Sequence, residues 1–391
     1  MWEESALSTA TLTAPWRGLS SAVWILVVAR AVNRIGAFTL PFLGVVLSVE
    51  FGTSLTTTGL ILAMFGAATI PSRLLGGQLA DRLGRRRTIV LGLIGCAVAQ
   101  TWIAVSSELW SAVLATLVLG LAFEIYEPPS QATIADVTEP ADRPAAYGLL
   151  GAAMAAAGVL AGLLAAALSH WDLRWLFVAD AVTCAACAVL VAVALPADVR
   201  RDRAPAADVA VWRDRRLILL LITGTAFATI YMQLLIGLPL TLLEQGLPKS
   251  GTGFILAASA VTMIVGQRLL HLPAVDDFRA MAAGYVLLGA GLVVSAFAQN
   301  LTGFLAATVL WSLGDLLLLT RYLTLASGLA PDHARGRYLA FFGLSWGFAT
   351  MIAPLTVTQL LKAGPAVLWL TAAAAALLLA AVQPVVRREI S

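Results

Sequence analysis

Charge is what this chain has least of. Only 12% of its 391 residues are Asp, Glu, Lys or Arg, against roughly 25% in an ordinary soluble protein. Lysine is reduced to Lys249 and Lys362 beside 23 arginines. Cysteine and histidine are equally scarce: Cys96, Cys184 and Cys187, and His170, His271 and His333. The cysteines lie in apolar runs. Cys184-Ala-Ala-Cys187 therefore lacks the strand-to-helix turn near water that a redox pair needs, and reads as two small buried thiols. The histidines are far apart and near loops, so no metal cluster is expected. Neither a phosphate loop nor a nucleophile–base pair appears, which removes ATP hydrolysis as a power source and argues against an enzyme.

What is present is apolar length. The chain is 60% hydrophobic with a mean hydropathy of +0.89, and a membrane helix needs about 20 such residues. The pattern predicts an all-α membrane protein with twelve transmembrane helices. Their approximate ranges are 20–48, 56–79, 88–106, 109–135, 145–168, 173–195, 216–244, 251–272, 279–298, 301–329, 335–362 and 365–386. Residues 1–18 carry Glu3 and Glu4 rather than a basic leader, so the first apolar run reads as a retained helix.

Arginine sits in alternate loops: Arg82, Arg85, Arg86, Arg87, Arg143, Arg200, Arg201, Arg203, Arg213, Arg215, Arg216, Arg279, Arg335, Arg337, Arg387 and Arg388. The other loops hold little beyond Arg174, Lys249 and Lys362. The positive-inside bias places the arginine-rich loops and both termini in the cytoplasm. These runs flank spans, so they read as topology signals and not as nucleic-acid patches.

Pro196 to Arg216 is the one long polar interruption. It divides the chain into an N-terminal six-helix unit (1–195), a cytoplasmic linker (196–215) and a C-terminal six-helix unit (216–391). The units echo each other at an offset of about 191 residues. Pro140 and Tyr147 fall opposite Pro331 and Tyr338, and Gly77-Gln78 is echoed by Gly266-Gln267. Weak internal symmetry of this kind belongs to transporters, whose site lies between the repeats near the midplane.

The charges left inside the spans mark that site. An unpaired charge at the bilayer centre costs about 2.5–3.5 kcal/mol on insertion scales, so intramembrane acids are paired, hydrated or protonated. Glu124 and Glu127, three residues apart before Pro128-Pro129, share one face of a continuous helix. In span 1, Arg30, Asn33, Arg34, Ala37 and Pro41 share a face at comparable depth. The expectation is a buried cluster of Arg30, Arg34, Glu124 and Glu127. Two readings of it stay open: a structural ion pair, or acids of which at least one titrates during transport. Span 7 offers Thr225, Thr229 and Gln233 with Tyr231 nearby. Span 10 offers Asp315, with Trp311 and Tyr322 on its face. Asp180 in span 6 is left between Arg174 and another helix, and Arg73 is given no role.

Between spans 2 and 3 runs Gly77-Gln-Leu-Ala-Asp81-Arg82-Leu-Gly84-Arg85-Arg86-Arg87-Thr88. This stretch resembles the G-x-L-x-D-R-x-G-R-R/K signature of the major facilitator superfamily with every position filled. The twelve spans, central linker and two-fold symmetry extend the resemblance over the whole chain. It implies the major facilitator fold with two pseudo-symmetric six-helix bundles, and a cavity lined by helices 1, 4, 7 and 10. It also implies a cytoplasmic gate. Asp81 docks on the start of the eleventh helix and Arg85 pairs with Asp136, while Gly77 permits close helix approach and Gly84 a tight turn. Two motifs depart from the drug:proton antiporter group. Thr116 stands where those exporters often carry arginine, and in helix 5 Leu163, Ala166 and Ala167 replace the Pro and final glycines of their antiporter motif. Gly158 and Gly162 still allow close packing.

The resulting expectation is a proton-coupled secondary transporter, similar to that multidrug group, exporting small amphipathic organic molecules by alternating access. Phe38, Phe42, Phe123, Tyr126, Tyr231, Trp311 and Tyr322 suit such substrates, including cations over ring faces. Arg30, Arg34 and Arg321 suit an anion or zwitterion where the acids leave them unneutralised. A proton gradient replaces any cofactor. The partners are a small-molecule substrate, protons and the bilayer, with no nucleic acid. The unit is one chain, multi-pass in the cell (inner or plasma) membrane. The rivals are a proton-driven importer of a small metabolite or peptide and a non-transporting sensor or lipid-handling protein. At the 191-residue offset Glu124 falls on Asp315, while Glu127 falls on Leu318. Glu124 and Asp315 are thus the expected substrate and proton site, and Glu127 the expected partner of span 1's arginines.

Overall fold

The computed structural model describes residues 18–139, 142–196, 211–267, 276–331 and 335–390. Its helices are α1 (Ser21–Ile35), α2 (Thr39–Glu50), α3 (Leu55–Leu83), α4 (Arg85–Val105), α5 (Leu109–Phe123), α6 (Glu127–Asp136) and α7 (Arg143–Trp171). They continue with α8 (Arg174–Ala194), α9 (Arg215–Glu244), α10 (Ser250–Gly266), α11 (Asp277–Phe297), α12 (Leu301–Gly328), α13 (Arg335–Lys362) and α14 (Pro365–Ile390). Among the described residues, 11 helical stretches are long and apolar enough to cross a membrane, and the shorter apolar α10 joins them. The far end of the expected eighth span, 268–272, lies outside the described residues, as do linker residues 197–210.

Polar residues at the loop edges start the helices. Ser54 accepts from the Thr57 N–H, Asp214 from Arg216 and Leu217, Asp276 from Arg279, and Asn300 from Gly303. Each supplies an acceptor to a first-turn donor that has no helical partner. Gly84, at φ 88°, turns α3 into α4 in a backbone region that favours glycine.

Two expected single helices are broken in mid-membrane. Pro41 has no N–H and its ring clashes with the carbonyl four residues back, so α1 stops at Ile35 and the chain restarts as α2. Pro128 and Pro129 do the same to span 4. Both sit in the first turn of α6, where a missing N–H costs nothing. Their cost falls on residues 124–126, which are not helical. The surrounding helices absorb it: the Ser72 hydroxyl accepts the Glu124 N–H at 3.0 Å, and Gly76 packs against the Ile125 backbone.

Helices α1–α8 meet α9–α14 along two antiparallel seams of small residues. On the first, α3 lies against α13. Gly59 faces Thr358, Gly66 the Thr350 backbone, and Gly347 packs on Ile70, while Arg73 donates to the Gly343 carbonyl at 3.5 Å. On the second, α7 lies against α10. A Cβ on Gly162 would come within 2.7 Å of the Ala257 Cα and the Gly253 carbonyl. Small residues let helix backbones approach where lipid offers no hydrophobic drive between helices. Both seams run from the arginine-poor end to about the middle. Beyond Arg73, none of the described residues lies within 4 Å of a Cβ built on Gly77. Gly77 therefore does not make the close approach expected of it. Its neighbour Gly76 does, against Ile125 of the span 4 break.

A side chain at Gly162 must push α7 and α10 apart. Gly162→Leu is expected to destabilise the protein by about 1–3 kcal/mol, as overpacking does. Gly151→Ala, with nothing within 4 Å, stays within about 0.5 kcal/mol. Thermal unfolding in detergent, followed by circular dichroism, compares the two.

Candidate functional site

At the level of the breaks, a cavity of about 170 Å³ opens between the N-terminal and C-terminal helices. Its wall takes Asn33, Arg34 and Phe38 from span 1, Phe123 and Tyr126 from span 4, Tyr231 from α9, and Trp311 and Asp315 from α12. These are the four spans expected to line it. The wall also draws on α4 (Cys96, Gln100), α7 (Gly158, Gly162), α8 (Asp180, Cys184) and α10 (Ser259, Met263).

Of the expected charge cluster, one pair forms. Arg30 bonds Glu127, whose other oxygen accepts from Gln131 at 2.8 Å, and the Arg30 guanidinium lies 5.6 Å from the Tyr126 ring centre. Glu127 is thus the partner of one span 1 arginine. Glu124 is not on the cavity wall. It faces Arg73 at 3.8 Å, and Arg73 in turn reaches the Gly343 carbonyl of α13. The reason is the break: the shared face of Glu124 and Glu127 requires continuous helix, and residues 124–126 are not helical. Arg34 is exposed on the cavity wall and forms no ion pair among the described residues. Tyr231 has Asp315 and Arg34 as its charged neighbours.

Asp315 is 0% exposed, and neither carboxylate oxygen has a hydrogen-bond partner among the described residues. The Trp311 indole N–H, one turn away, is also without a partner. Other expected site residues face elsewhere. Tyr322 is buried in the C-terminal helices, stacked between Phe227 and Phe342 and bonded to the Tyr285 hydroxyl at 2.6 Å. Gln233 donates to Thr356 of α13 at 3.3 Å, and Thr225 and Thr229 bond back to their own helix. Arg321 pairs with Asp277 at 3.7 Å, so it offers no cavity charge.

Sequence reasoning missed the network around Asp180. The Thr39 hydroxyl donates to its carboxylate at 3.0 Å and Gln100 at 2.6 Å, and the Cys184 thiol lies at 3.6 Å. Asn33 joins in, donating to Cys184 and accepting from the Tyr126 hydroxyl at 2.9 Å. Arg174 instead pairs with Glu50 at 3.4 Å. Gln100, a lone amide inside an apolar run, was the available signal.

At the arginine-rich end, Arg85 pairs with Asp136. Arg86 reaches the Ala192 carbonyl, and Arg82 lies exposed in the last turn of α3. The expected docking of Asp81 falls at the start of the eleventh helix, where the side chain of Arg335 lies outside the described ones.

Residues 26–354 match the family model of the Major Facilitator Superfamily. The chain belongs to that superfamily. Among its relatives is a multidrug resistance protein, MdtH of Cronobacter sakazakii, 28% identical over 282 residues that make up 70% of each chain. Among solved structures, a peptide transporter POT in complex with sulfate superposes with a TM-score of 0.80 at 15% identity, covering 98% of this chain and 99% of that one. A bacterial homologue of the human lysosomal transporter Spinster gives 0.74 at 15% identity, over 94% and 96%. These superfamily members are transporters and not enzymes, and the multi-pass helical architecture is theirs.

The Arg30–Glu127 pair is testable by itself. A double-mutant cycle with Arg30→Met and Glu127→Leu is expected to give an interaction energy of about 1–3 kcal/mol, either single change being the costlier. Thermal unfolding of the four proteins measures it. A value near zero removes the pair's structural role.

Proposed function

We propose that this chain is a proton-coupled secondary transporter that exports small amphipathic organic molecules by alternating access. Residues 1–195 and 216–391 act as the two six-helix bundles, joined by a linker at 196–215. The arginine-rich loops and both termini face the cytoplasm, the site is the cell membrane, and one chain is the working unit. The cavity then faces inward, since the seams hold the opposite end closed and Gly77 stands free.

One observation carries the coupling: Asp315, fully buried on the cavity wall, has no partner for either oxygen among the described residues. A bare carboxylate there costs several kcal/mol, so it holds a proton or a cation from the cavity. It cannot hold both, and that exclusion makes an exchanger. A substrate's ammonium displaces the proton toward the cytoplasm, and on the other side a proton displaces the substrate. Opening that side separates the two seams. Closing the cytoplasmic side brings α3 and α13 together past Gly77, over the gate of Asp81, Arg85 and Asp136. The relationship to a multidrug resistance protein and the rings of Phe38, Phe123, Tyr231 and Trp311 support an amphipathic aromatic cargo.

Flux of a panel of amphipathic amines, in proteoliposomes with an imposed pH gradient, tests this. Asp315→Asn is expected to lose at least about tenfold of the gradient-driven flux, as loss of a transport-essential charge does. Glu124→Gln keeps its proton dependence. Unchanged proton dependence in Asp315→Asn refutes the coupling, and the opposite gradient requirement makes the protein an importer.

A further inference from the structure

The cavity wall carries one basic and two acidic side chains: Arg34, Asp180 and Asp315. Asp180 already receives hydrogen bonds from Thr39 and Gln100 and has the Cys184 thiol beside it. The neighbouring pairs, Arg30 with Glu127 and Arg73 with Glu124, are internally balanced and off the wall. Arg34 and Asp315 are left, of opposite sign and without ion partners among the described residues. One stands on α1 and the other on α12, and both line the same cavity. Tyr231, on the same wall, has both as charged neighbours.

We propose that the cavity is built for zwitterionic aromatic molecules, with the anionic group on Arg34, the ammonium on Asp315 and the ring system against Phe38, Phe123 and Trp311. This rests on the transporter reading above and narrows its substrate class. A guanidinium offers a carboxylate two parallel donors. A ligand with only a cationic group satisfies Asp315 and adds its charge to that of Arg34. A ligand with only an anionic group answers Arg34 but leaves Asp315 holding its proton, so it makes one charged contact and displaces nothing. A zwitterion answers both and leaves the closed cavity no more charged than before. The volume, about 170 Å³, is below the roughly 300–1,000 Å³ of pockets for drug-sized ligands, which favours a compact molecule.

The charge count has an electrical consequence. A neutral zwitterion exchanged for one proton moves one net charge per cycle, whereas a monocation exchanged for one proton moves none.

Three matched probes separate the possibilities: 2-naphthylalanine (zwitterion), its amide (cation) and its N-acetyl derivative (anion). Binding to the purified full chain is measured by calorimetry, and flux in proteoliposomes with and without a potassium diffusion potential. The wild type is expected to bind the zwitterion about tenfold tighter than either relative, the scale of one charge-assisted contact. Its zwitterion flux is expected to respond to the potential. Arg34→Gln brings zwitterion affinity down to that of the amide, whose own affinity holds. Arg34→Lys keeps part of the preference, and Asp315→Asn loses zwitterion and amide together. Equal binding of zwitterion and amide by the wild type, binding of none of the three, or an equal loss of both in Arg34→Gln overturns the assignment. In each of those cases proton-driven flux of the amine panel decides the transporter reading separately.

Discussion

Prolines that cannot donate, placed at mid-membrane depth, set the geometry on which the site depends. Pro41 interrupts span 1 and the Pro128-Pro129 pair interrupts span 4. In lipid every freed backbone group needs a partner within the protein, so each break must be packed from the side. Ser72 and Gly76 of α3 do this for residues 124–126. The break then divides the acids of span 4. Glu127, inside α6, faces Arg30 on α1, while Glu124, outside either helix, faces Arg73 on α3. In span 1 the restart at Thr39 brings that hydroxyl to Asp180. Two sequence features of the backbone thus decide which charges are spent on structure and which remain on the wall.

The second constraint is that helices in lipid gain little from apolar contact with each other, so approach depends on small residues. The seams of α3 with α13 and α7 with α10 use Gly59, Gly66, Gly162 and Gly253 at or beyond mid-depth toward the arginine-poor end. Such contacts are dense but carry few hydrogen bonds, so they can separate without leaving buried polar groups unpaired. Arg73 is the exception, since it touches Glu124 on its own side and the Gly343 carbonyl across the seam. It stands at the inner limit of the first seam.

The sequence made the architecture legible because its signals are local. Apolar runs gave the spans, alternate arginine loops gave an orientation to test, and the Asp81–Arg86 stretch pointed to the superfamily. Arg30 with Glu127 was also within reach because it rests on helical depth alone, and Arg85 with Asp136 because the superfamily resemblance implies it. What failed were arguments needing helical phase across a proline. The shared face of Glu124 and Glu127 assumed continuous helix, whereas matching Glu124 to Asp315 rested on the 191-residue offset, which takes no account of the break at 124–126. Tyr322 and Gln233 were misplaced for another reason. Residues spaced seven and three or four apart share a broad face, and only the packing of α13 and α11 decides which of them reach the cavity. Asp180 was visible as a buried acid, but its partners come from α2 and α4, and no spacing within one helix reveals them.

The acids that hold this protein together and the acid assigned to its work differ in one respect. Glu124, Glu127 and Asp136 each have an arginine, and Asp180 has hydroxyl and amide donors. A paired carboxylate keeps its charge in both conformations unless the pair itself breaks, and breaking a buried pair costs about 3–5 kcal/mol. Coupling through such a group would spend much of the driving gradient on repair. Among the described residues Asp315 has no pair to break. Under the proposed coupling its charge follows whatever the cavity holds, so occupancy and protonation become the same variable there. That is the simplest arrangement by which one side chain ties the movement of a solute to that of a proton. It requires that no donor nearby bonds the carboxylate: Leu316 to Leu319 offer no side-chain donor, and Ser312 is already bonded to Ser259.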